Sequence, residues 1–528
     1  MLLVSAGVAV LAGKRIVYDN WSKGDVGIKK PMPNSPGFFR GKNVHIYPNG
    51  AIGPRPPFAA QTMASLPTKR IDFMVYNAAN DKIVFITSDL GVYSFTPRRF
   101  FQQGVSYVTV VSPPTLIGTL AAAVTDVVSS GNIIYCCRSA SITTGGVAID
   151  VAANTITAVA AVHTGEFIQV YGSRFLVVET ATGTTKNYVH YSAANDFTSW
   201  PGNFTAVGTP TPITGIFIQR NSISLPKSDG TWWNITGALG AETVRRVEKA
   251  LNFTAPGTVS NGDNVWWANY RDTLAFSGAQ VQSESRPPTD EYVGRDAEQQ
   301  PEDIAALVGS DDIAIVGTSV STANGLYQCY VQTRINGAWT THTVALDALN
   351  QSRNDFFLEQ SNDGVLILAR RGRTGGAGDA APSFYAWNPR LSQPGEWDRQ
   401  DPNGTYPEGT FYTNEYWPED GSRVKITSVY VDLSYDLYLA ANAGFTITAQ
   451  ALNNKGKTNE LASTSSSWTP LDIPTTPTVG ATLVRQRAQF DFGDQGEGGG
   501  AVLKITNLKN TLIHRIIMVV DEVPADGG

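Results

Sequence analysis

The feature that most constrains this chain is a group of short apolar runs that recurs between about Leu66 and Trp397. Each group consists of an apolar run, a turn, and a second apolar run that often contains Trp or Tyr. Lys82–Phe95 turns at Asp-Leu-Gly, and Ile133–Ile149 turns at Gly-Gly. The groups recur about every 40 to 50 residues, which is the spacing of β-propeller blades. A small sheet cannot bury both of its faces alone, whereas sheets packed around one axis cover each other.

We therefore predict an all-β chain with a β-propeller over residues 66–400. At this spacing the segment accommodates about seven blades, with six to eight compatible with the pattern. The 50 glycines and 29 prolines suit the many turns that such a fold needs. Two segments favour short helices instead, Leu116–Val128, which is rich in alanine, and Pro301–Val308, where two acidic residues suit a first turn.

The sequence changes in character from about Ser422. Apolar and polar residues alternate there over longer runs, namely Arg423–Ala440, Gly444–Asn454, Ala481–Phe492 and Ala501–Val523. Alternation with a period of two, with long connections, predicts a C-terminal β-sandwich. The polar stretch Arg399–Gly409 marks the boundary, so the sandwich is predicted over residues 401–528. Residues 1–65 are predicted to form an extended N-terminal arm and docking segment, with Leu2–Ala12 as a strand or anchoring arm. A signal peptide is the alternative for Leu2–Ala12, although the basic residues Lys14 and Arg15 follow the apolar run instead of preceding it.

Charge and composition restrict the partners of the chain. The formal net charge is −6 and the basic residues are scattered, which argues against a specific nucleic-acid partner. No apolar run reaches the length of a membrane span. Only 16% of the residues are charged, which suits a surface partly covered by other proteins. The neighbours Cys136 and Cys137 are expected on opposite faces of one strand, as buried thiols.

The sequence offers no convergent set of catalytic or metal-binding groups. None of the five histidines lies at a metal-site spacing from another ligand; they are His45, His163, His190, His342 and His514. The glycine-rich stretch Arg370–Pro382 lacks the ending of a phosphate loop, and no nucleophile-elbow motif is present. We therefore expect no catalytic residue, no cofactor and no metal site, and a protein that is not an enzyme.

A carbohydrate-binding propeller or a glycosidase is the alternative reading. Paired acids such as Asp311 and Asp312 have the residue types that glycoside hydrolysis requires. Lys227–Ile235 resembles the Asp-box turn of sialidase propellers, although Asp229, Gly230, Thr231 and Trp232 are contiguous here. Binding to a glycan array would favour a lectin, and hydrolysis lost on changing one acid to its amide would favour a glycosidase.

Two stretches of the sequence resemble proteins of bacteriophage tails. Gly37–Phe58 resembles the segment that precedes the first blade in phage tail propeller proteins. Its matching residues are Asn43, Val44, Gly50, Arg55, Pro56 and Phe58. Tyr188–Val247 is similar to the middle of the propeller in tail nozzle proteins of short-tailed phages, and more so to minor tail proteins of actinobacterial siphophages. Its matching residues are Asp196, Trp200, Ile213–Gly215, Asp229–Gly230, Trp232 and Ile235–Gly237.

The matching residues also have structural interpretations of their own. Asp196 and Ser199 are expected to close a tight turn that Trp200 packs onto its blade. Asp229–Gly230 predicts a two-residue hairpin turn. Gly215 and Gly237 are expected where strands bend away from a blade.

The resemblance implies a structural virion protein at the tip of a phage tail, assembled in the host cytoplasm. Its implied partners are tube, hub and fibre proteins, and further copies of itself in an oligomer or ring. Docking would use the propeller faces and strand addition by the extended termini. Contact with a host-surface glycan or with a DNA-exit complex is compatible with such a position. A tail nozzle protein of a short-tailed phage is the alternative within the same resemblance.

Overall fold

In the computed structural model, most of the described residues form β-strands. The described residues are 13–24, 37–38, 40–56, 58–61, 66–97, 113–139, 145–179, 187–249, 259–260, 265–268, 273–276, 281–283, 304–309, 313–321, 327–335, 338–345, 356–370, 381–388, 407–436, 446–454, 465–469, 483–492, 499–509 and 511–523. These residues contain no helix and form nine sheets. They divide into two compact units, one made of the described parts of 13–55 and 407–523, the other of those within 56–388.

The strands are numbered in chain order. The first four are β1 Lys14–Tyr18, β2 Arg40–Lys42, β3 Val44–Ile46 and β4 Ile52–Pro54. The next are β5 Ala59–Gln61, β6 Ile71–Asn77, β7 Lys82–Thr87, β8 Gly91–Phe95, β9 Thr115–Thr119, β10 Asp126–Ser130, β11 Ile133–Cys137, β12 Gly146–Asp150, β13 Thr155–Val159, β14 Phe167–Tyr171, β15 Arg174–Glu179, β16 Tyr188–Tyr191, β17 Phe204–Ala206, β18 Phe217–Gln219, β19 Ser222–Pro226, β20 Thr231–Thr236 and β21 Thr243–Lys249. They are followed by β22 Val259–Ser260, β23 Val265–Ala268, β24 Thr273–Phe276, β25 Val281–Ser283, β26 Ile304–Gly309, β27 Ile313–Ser321, β28 Tyr327–Ile335, β29 Ala338–Ala345, β30 Phe356–Gln360, β31 Leu366–Arg370 and β32 Ser383–Trp387. The last are β33 Gly409–Tyr412, β34 Arg423–Asp436, β35 Ile447–Asn454, β36 Ser465–Trp468, β37 Leu483–Asp491, β38 Gly500–Leu508 and β39 Thr511–Val523.

The second unit is a seven-bladed β-propeller. Six sheets consist of four consecutive antiparallel strands each, from β6–β9 through β26–β29, and the seventh has the order β30-β31-β32-β5. The first strands of neighbouring sheets contact one another in sequence, and β30 of the last sheet contacts β6 of the first. This closed circuit confirms the predicted propeller and places the first strand of each blade innermost. We number the blades 1 to 7 from β6 onward.

An upstream segment completes the seventh blade. Strand β5 pairs antiparallel with β32, with Ala59 opposite Ala386 and Gln61 opposite Phe384. The outer strand of this blade therefore precedes β6 in the chain, whereas its other three strands follow blade 6. This pairing adds to the contact between β30 and β6 in closing the ring, because it joins the first and last parts of the propeller without a covalent link.

The blades pack through apolar side chains on both sheet faces. On β11, Cys136 belongs to a buried cluster shared by blades 1 and 2, with Val84 as one member. Cys137 belongs to the next cluster, shared by blades 2 and 3, with Val177 as one member. Both thiols are buried, as predicted, on opposite faces. Each fully buried aliphatic side chain contributes about 1.5–3 kcal/mol to folding, so the inter-blade clusters hold the ring together.

The first unit is a β-sandwich of two sheets. One sheet has the order β3-β4-β39-β34-β37, with β1 also paired to β39, and the other has the order β2-β33-β38-β35-β36. Alternate residues of β34, including Val429, Val431 and Leu433, belong to the same buried cluster as Leu503 and Ile505 of β38. One face of each sheet thus supplies the core, as the period-two alternation predicts.

The N-terminal segment differs from the prediction of an arm over 1–65. Its described residues supply β1 to β4 to the sandwich and β5 to the propeller, so the division between the units lies at Arg55 and Pro56. Strand β1 is amphipathic, with Ile16 and Tyr18 buried and its other residues exposed, and it covers the edge of β39. Residues 1–12, including the predicted arm Leu2–Ala12, lie outside the described residues, as do 389–406 around the second predicted boundary.

Both predicted helices are wrong. Leu116–Val128 spans the end of β9, a bend, and the start of β10, because Leu120 and Val124 of the bend are buried in the cluster between blades 1 and 2. Packing of these two side chains outweighs the helix propensity of the three alanines between them. Of Pro301–Val308, the described part belongs to strand β26, which begins at Ile304.

Candidate functional site

The first group of motif residues lies around the β3–β4 hairpin. Asn43 has a positive φ of 56°, and its carbonyl accepts a hydrogen bond of 2.9 Å from the Arg55 amide. The Arg55 side chain, 2% exposed, also donates from Nε to Asn43 Oδ1 at 3.4 Å. Gly50, with a φ of 78°, donates from its amide to the carbonyl of Tyr47. These residues fix the hairpin geometry and face no described cleft.

The second group closes the turn between β16 and β17. The Asp196 carboxylate accepts hydrogen bonds from the amide and the hydroxyl of Thr198, at 2.8 and 2.6 Å. These bonds lower the pKa of Asp196. Trp200 donates from Nε1 to the Phe197 carbonyl at 2.7 Å and packs against the cluster between blades 2 and 3. The expected turn is present, with Thr198 as the partner of Asp196, while the carbonyl of Ser199 accepts from the Ala193 amide.

The third group forms the β19–β20 hairpin of blade 4. Lys227 and Thr231 pair across it, and Gly230 follows the turn with a φ of 76°. The loop therefore has three residues rather than the predicted two, with glycine at its left-handed position. Asp229 accepts from the amide and the hydroxyl of Thr231, at 3.0 and 2.7 Å.

The remaining motif residues of blade 4 also have packing roles. Trp232 is 2% exposed. Gly237 has a φ of 92°, and a Cβ on Gly215 would lie 2.8 Å from the ring of Phe217. The three groups thus occupy separate turns, the first in the unit that contains the sandwich and the other two in blades 3 and 4 of the propeller.

A shallow recess lies at the hairpin turns of blades 3 and 4. Its volume is about 460 Å³, and it is wide open to solvent. Its lining residues are Tyr171, Gly172, Ile218, Gln219, Arg220, Gly237 and Ala238. Of the motif residues, only Gly237 is among them, so the recess is not built from the matching motifs.

The side chains that do converge are His163, Glu179 and His190, which we call the His-Glu cluster. Glu179 ends β15 and His190 lies on β16 of the same blade. His190 pairs opposite Val177, which places Glu179 at a diagonal position on the same face of the sheet. His163 lies in the connection from β13 of blade 2 to β14 of blade 3. Because Val177 belongs to the buried cluster of blades 2 and 3, this face of β15 and β16 is directed toward blade 2.

The three side chains are close enough to act on one ligand. His190 Nε2 lies 3.0 Å from Glu179 Oε2. The imidazoles of His163 and His190 are stacked, with centroids 3.5 Å apart and planes inclined by 11°. One ligand atom from each of the three residues lies within 4.8 Å of the others. The sequence predicts no metal site, yet these residue types and this convergence are those of a transition-metal site.

The surroundings of His190 favour its neutral form. Burial lowers the pKa of His190, the neighbouring His163 lowers it further, and the hydrogen bond to Glu179 opposes both. Nδ1 of His190 is buried and has no hydrogen-bond partner among the described residues. A neutral ring retains a lone pair on one nitrogen, which is the form that binds metals.

An aromatic pair borders the cluster. The rings of Tyr188 and Phe204 are stacked with centroids 4.3 Å apart. Phe204 lies 5.8 Å from His190 and is 45% exposed. The cluster is therefore flanked by an exposed aromatic surface on the outer strands of blade 3.

Sequence reasoning missed this cluster because its members have no local spacing rule. His163 precedes Glu179 by 16 residues and His190 follows it by 11. Two paired strands and a loop from the preceding blade bring them together. The register of β15 against β16 would have indicated that Glu179 and His190 are neighbours, since diagonal residues of paired strands lie on one face of the sheet.

Two acidic side chains link the innermost strands of neighbouring blades. Asp126 on β10 of blade 2 accepts from the Ile168 amide on β14 of blade 3 at 2.9 Å. Burial raises its pKa to about 7. Glu359 on β30 of blade 7 is hydrogen-bonded by the Tyr76 amide of blade 1, and burial raises its pKa to about 8. Each carboxyl accepts a hydrogen bond from a backbone amide on the innermost strand of the neighbouring blade. We therefore assign a structural role to both.

Comparisons with known proteins add little to this description. No family model matches the chain, and no curated protein matches it in sequence. Among solved structures, U3-55K is 11% identical, with a TM-score of 0.39, and the match covers 63% of this chain and 98% of that one. The WD40 repeats of RRP9 are 10% identical, with a TM-score of 0.41, over 64% of this chain and 99% of that one. The propeller assignment therefore depends on the sheet order and ring closure of this chain itself.

Within the part of the chain that the structure describes, no helix has the length and apolar character needed to cross a bilayer.

Proposed function

We propose that this chain is a structural component of a phage tail, a minor tail or tail-tip protein that works by assembly with other tail proteins. Tube, hub and fibre proteins, and further copies of the chain, are its proposed partners. The observation that carries the proposal is the position of exposed apolar side chains on strands that end their sheets within the described part of the chain.

Three large apolar side chains of the described residues are exposed. They are Val17, Leu116 and Phe204, which are 42%, 54% and 45% exposed. Val17 lies on β1, Leu116 on β9 and Phe204 on β17, and each of these strands ends its sheet. An edge strand presents unpaired amides and carbonyls to other chains. Apolar side chains on such edges support recognition by strand addition.

The stretches that resemble phage tail proteins support the same proposal. Gly37–Phe58 includes β2 to β4 and leads directly into β5, which closes the propeller. Tyr188–Val247 spans β16 to β20 and most of β21, and it includes the exposed Phe204. Thus both stretches contribute strands to the scaffold, and one of them carries an exposed edge.

Host-surface glycan is the second proposed partner. The exposed ring of Phe204, held by stacking on Tyr188, offers a flat aromatic face of the kind that packs against sugar rings. This contact would add host recognition to an assembly role and requires no catalysis.

Purified virions of the phage that encodes the chain provide the test. We expect mass spectrometry to detect the chain in the particles in a fixed ratio to tail-tube protein. We also expect deletion of its gene to yield particles with incomplete tails, restored by supplying the chain in trans. Absence of the chain from infectious particles would refute the proposal, as would complete tails in the deletion strain.

A further inference from the structure

We propose that the His-Glu cluster is a binding site for one divalent transition-metal ion of the zinc class. The site lies at the junction of blades 2 and 3, between a connecting loop and two paired strands. This proposal goes beyond the assembly role and does not depend on it.

The donor set selects the type of ion. Two imidazoles and one carboxylate, here His163, His190 and Glu179, are a ligand combination of zinc sites with a fourth position open to water. Calcium and magnesium prefer oxygen donors, so a site with two imidazoles disfavours them. The same donors would bind copper or nickel, and affinity alone does not separate these ions.

Two of the three ligands are already held in place. Glu179 and His190 lie on paired strands, and their side chains are joined by the 3.0 Å hydrogen bond. An ion bound by both side chains through these two atoms would take the place of the proton between them. Ligand atoms around tetrahedral zinc are about 3.3 Å apart, given metal–ligand distances near 2.0–2.1 Å. The present limit of 4.8 Å therefore requires a closure of up to about 1.5 Å. One imidazole must also rotate, because the two stacked rings lie in nearly parallel planes and each lone pair lies in the plane of its own ring. His163, on a loop, is the ligand best able to supply this movement.

The proton on His163 is fixed by a hydrogen bond of the type common in metal sites. Nδ1 of His163 lies 3.1 Å from the carbonyl oxygen of Thr164. A carbonyl only accepts, so Nδ1 carries the proton and Nε2 keeps the lone pair. Metal-binding histidines usually donate their second ring nitrogen to a carbonyl or carboxylate in this way.

The position of the site defines what a bound ion would do. Two backbone hydrogen bonds anchor the loop just after His163. The Gly165 amide donates to the Arg138 carbonyl at 2.8 Å, and the Glu166 amide donates to the Val178 carbonyl at 2.9 Å. An ion held by this loop and by blade 3 would cross-link the connection between two blades. Because it binds the folded chain only, it would also raise the unfolding temperature.

Zinc titration of the metal-free full-length chain tests the proposal. We expect calorimetry to give one Zn²⁺ per chain and the unfolding temperature to rise with added zinc. In Glu179→Gln and in His163→Asn, zinc affinity should fall by more than about tenfold, since even loss of an outer partner costs 10–100-fold. The matched control is His514→Asn, which changes a half-buried histidine hydrogen-bonded to Ser434 in the sandwich. It should bind zinc as the unchanged chain does.

Cobalt substitution identifies the ligands without any substitution in the chain. We expect weak visible bands typical of nitrogen and oxygen ligands, and no thiolate charge-transfer band. A thiolate band, unchanged zinc affinity in both cluster variants, or failure of the unchanged chain to bind zinc would each overturn the proposal. If one variant fails to fold in the absence of metal, the zinc affinity of the other variant and the cobalt spectrum of the unchanged chain test the proposal.

Discussion

At the scale of the residue, Asp126 shows how an inter-blade hydrogen bond is linked to pH. Its folded-state pKa of about 7 lies above its ordinary value of 3.8. The folded chain therefore binds this proton more tightly than the unfolded chain between these pH values. The contribution of Asp126 to the free energy of unfolding is fully present below pH 4. It falls as the pH rises toward 7, by up to about 1.4 kcal/mol per pH unit.

We predict that Asp126→Asn flattens the pH dependence of stability between about pH 4 and 7, since the amide accepts the same backbone hydrogen but does not ionise. Urea unfolding at several pH values measures this. Asp196→Asn serves as the comparison, because the pKa of Asp196 is lowered rather than raised. Its ionised form stabilises the fold above about pH 4, so its removal should cost a constant amount between pH 4 and 7 and leave the slope in this range unchanged. An unchanged slope in Asp126→Asn would show that this carboxyl is not desolvated.

Substitution of Gly50 tests whether the positive φ at this position contributes to the stability of the β3–β4 hairpin. Its φ is 78°, and a Cβ built there meets no atom within 4 Å, so any cost of substitution is conformational. We predict that Gly50→Ala destabilises the chain by about 1 kcal/mol and that Gly50→Asn costs less, because asparagine tolerates this region better. Chemical denaturation gives both values. Equal costs for the two variants would contradict a conformational origin.

At the scale of the element, substitutions on the edge strand β9 test the assembly proposal. Leu116 is the most exposed of the large apolar side chains described. We predict that Leu116→Lys leaves stability within about 0.5 kcal/mol and reduces incorporation into virions. Thr119→Lys, at another exposed position of the same strand, controls for the added charge. The test is complementation of a gene deletion, scored by the amount of chain in particles. Normal incorporation of Leu116→Lys would exclude this edge as a contact.

The elements that the sequence predicts well are those whose pairing partners are neighbours in the chain. Lys82–Phe95 contains two strands that pair with each other, so the pattern within this short segment is enough to predict their pairing. Strands β2 to β5 have only three residues each, too few to show alternation, and β2 and β5 pair with strands more than 300 residues away. The His-Glu cluster was missed for a related reason, since it requires both a strand register and a loop from another blade.

At the scale of the whole molecule, ring closure by β5 is open to a direct test. Successive amides of a strand point in opposite directions, so one of Ala60 and Gln61 donates toward β32. We predict that either Ala60→Pro or Gln61→Pro, but not both equally, destabilises the propeller by loss of a ladder hydrogen bond. Thermal unfolding and limited proteolysis of the two variants provide the measurement. Equal stability of both variants and the unchanged chain would show that β5 is dispensable.

The use of upstream strands by both units dictates when the chain can fold during its synthesis. Strands β1 to β4 emerge from the ribosome first, yet the sheets they join are built mainly from β33 to β39. The propeller likewise waits for β30 to β32 before β5 has its partner. Such long-range pairing slows folding and leaves apolar strands without partners in the nascent chain. A ribosome that stalls within the propeller would therefore release a product with neither unit complete, a target for chaperones and proteases.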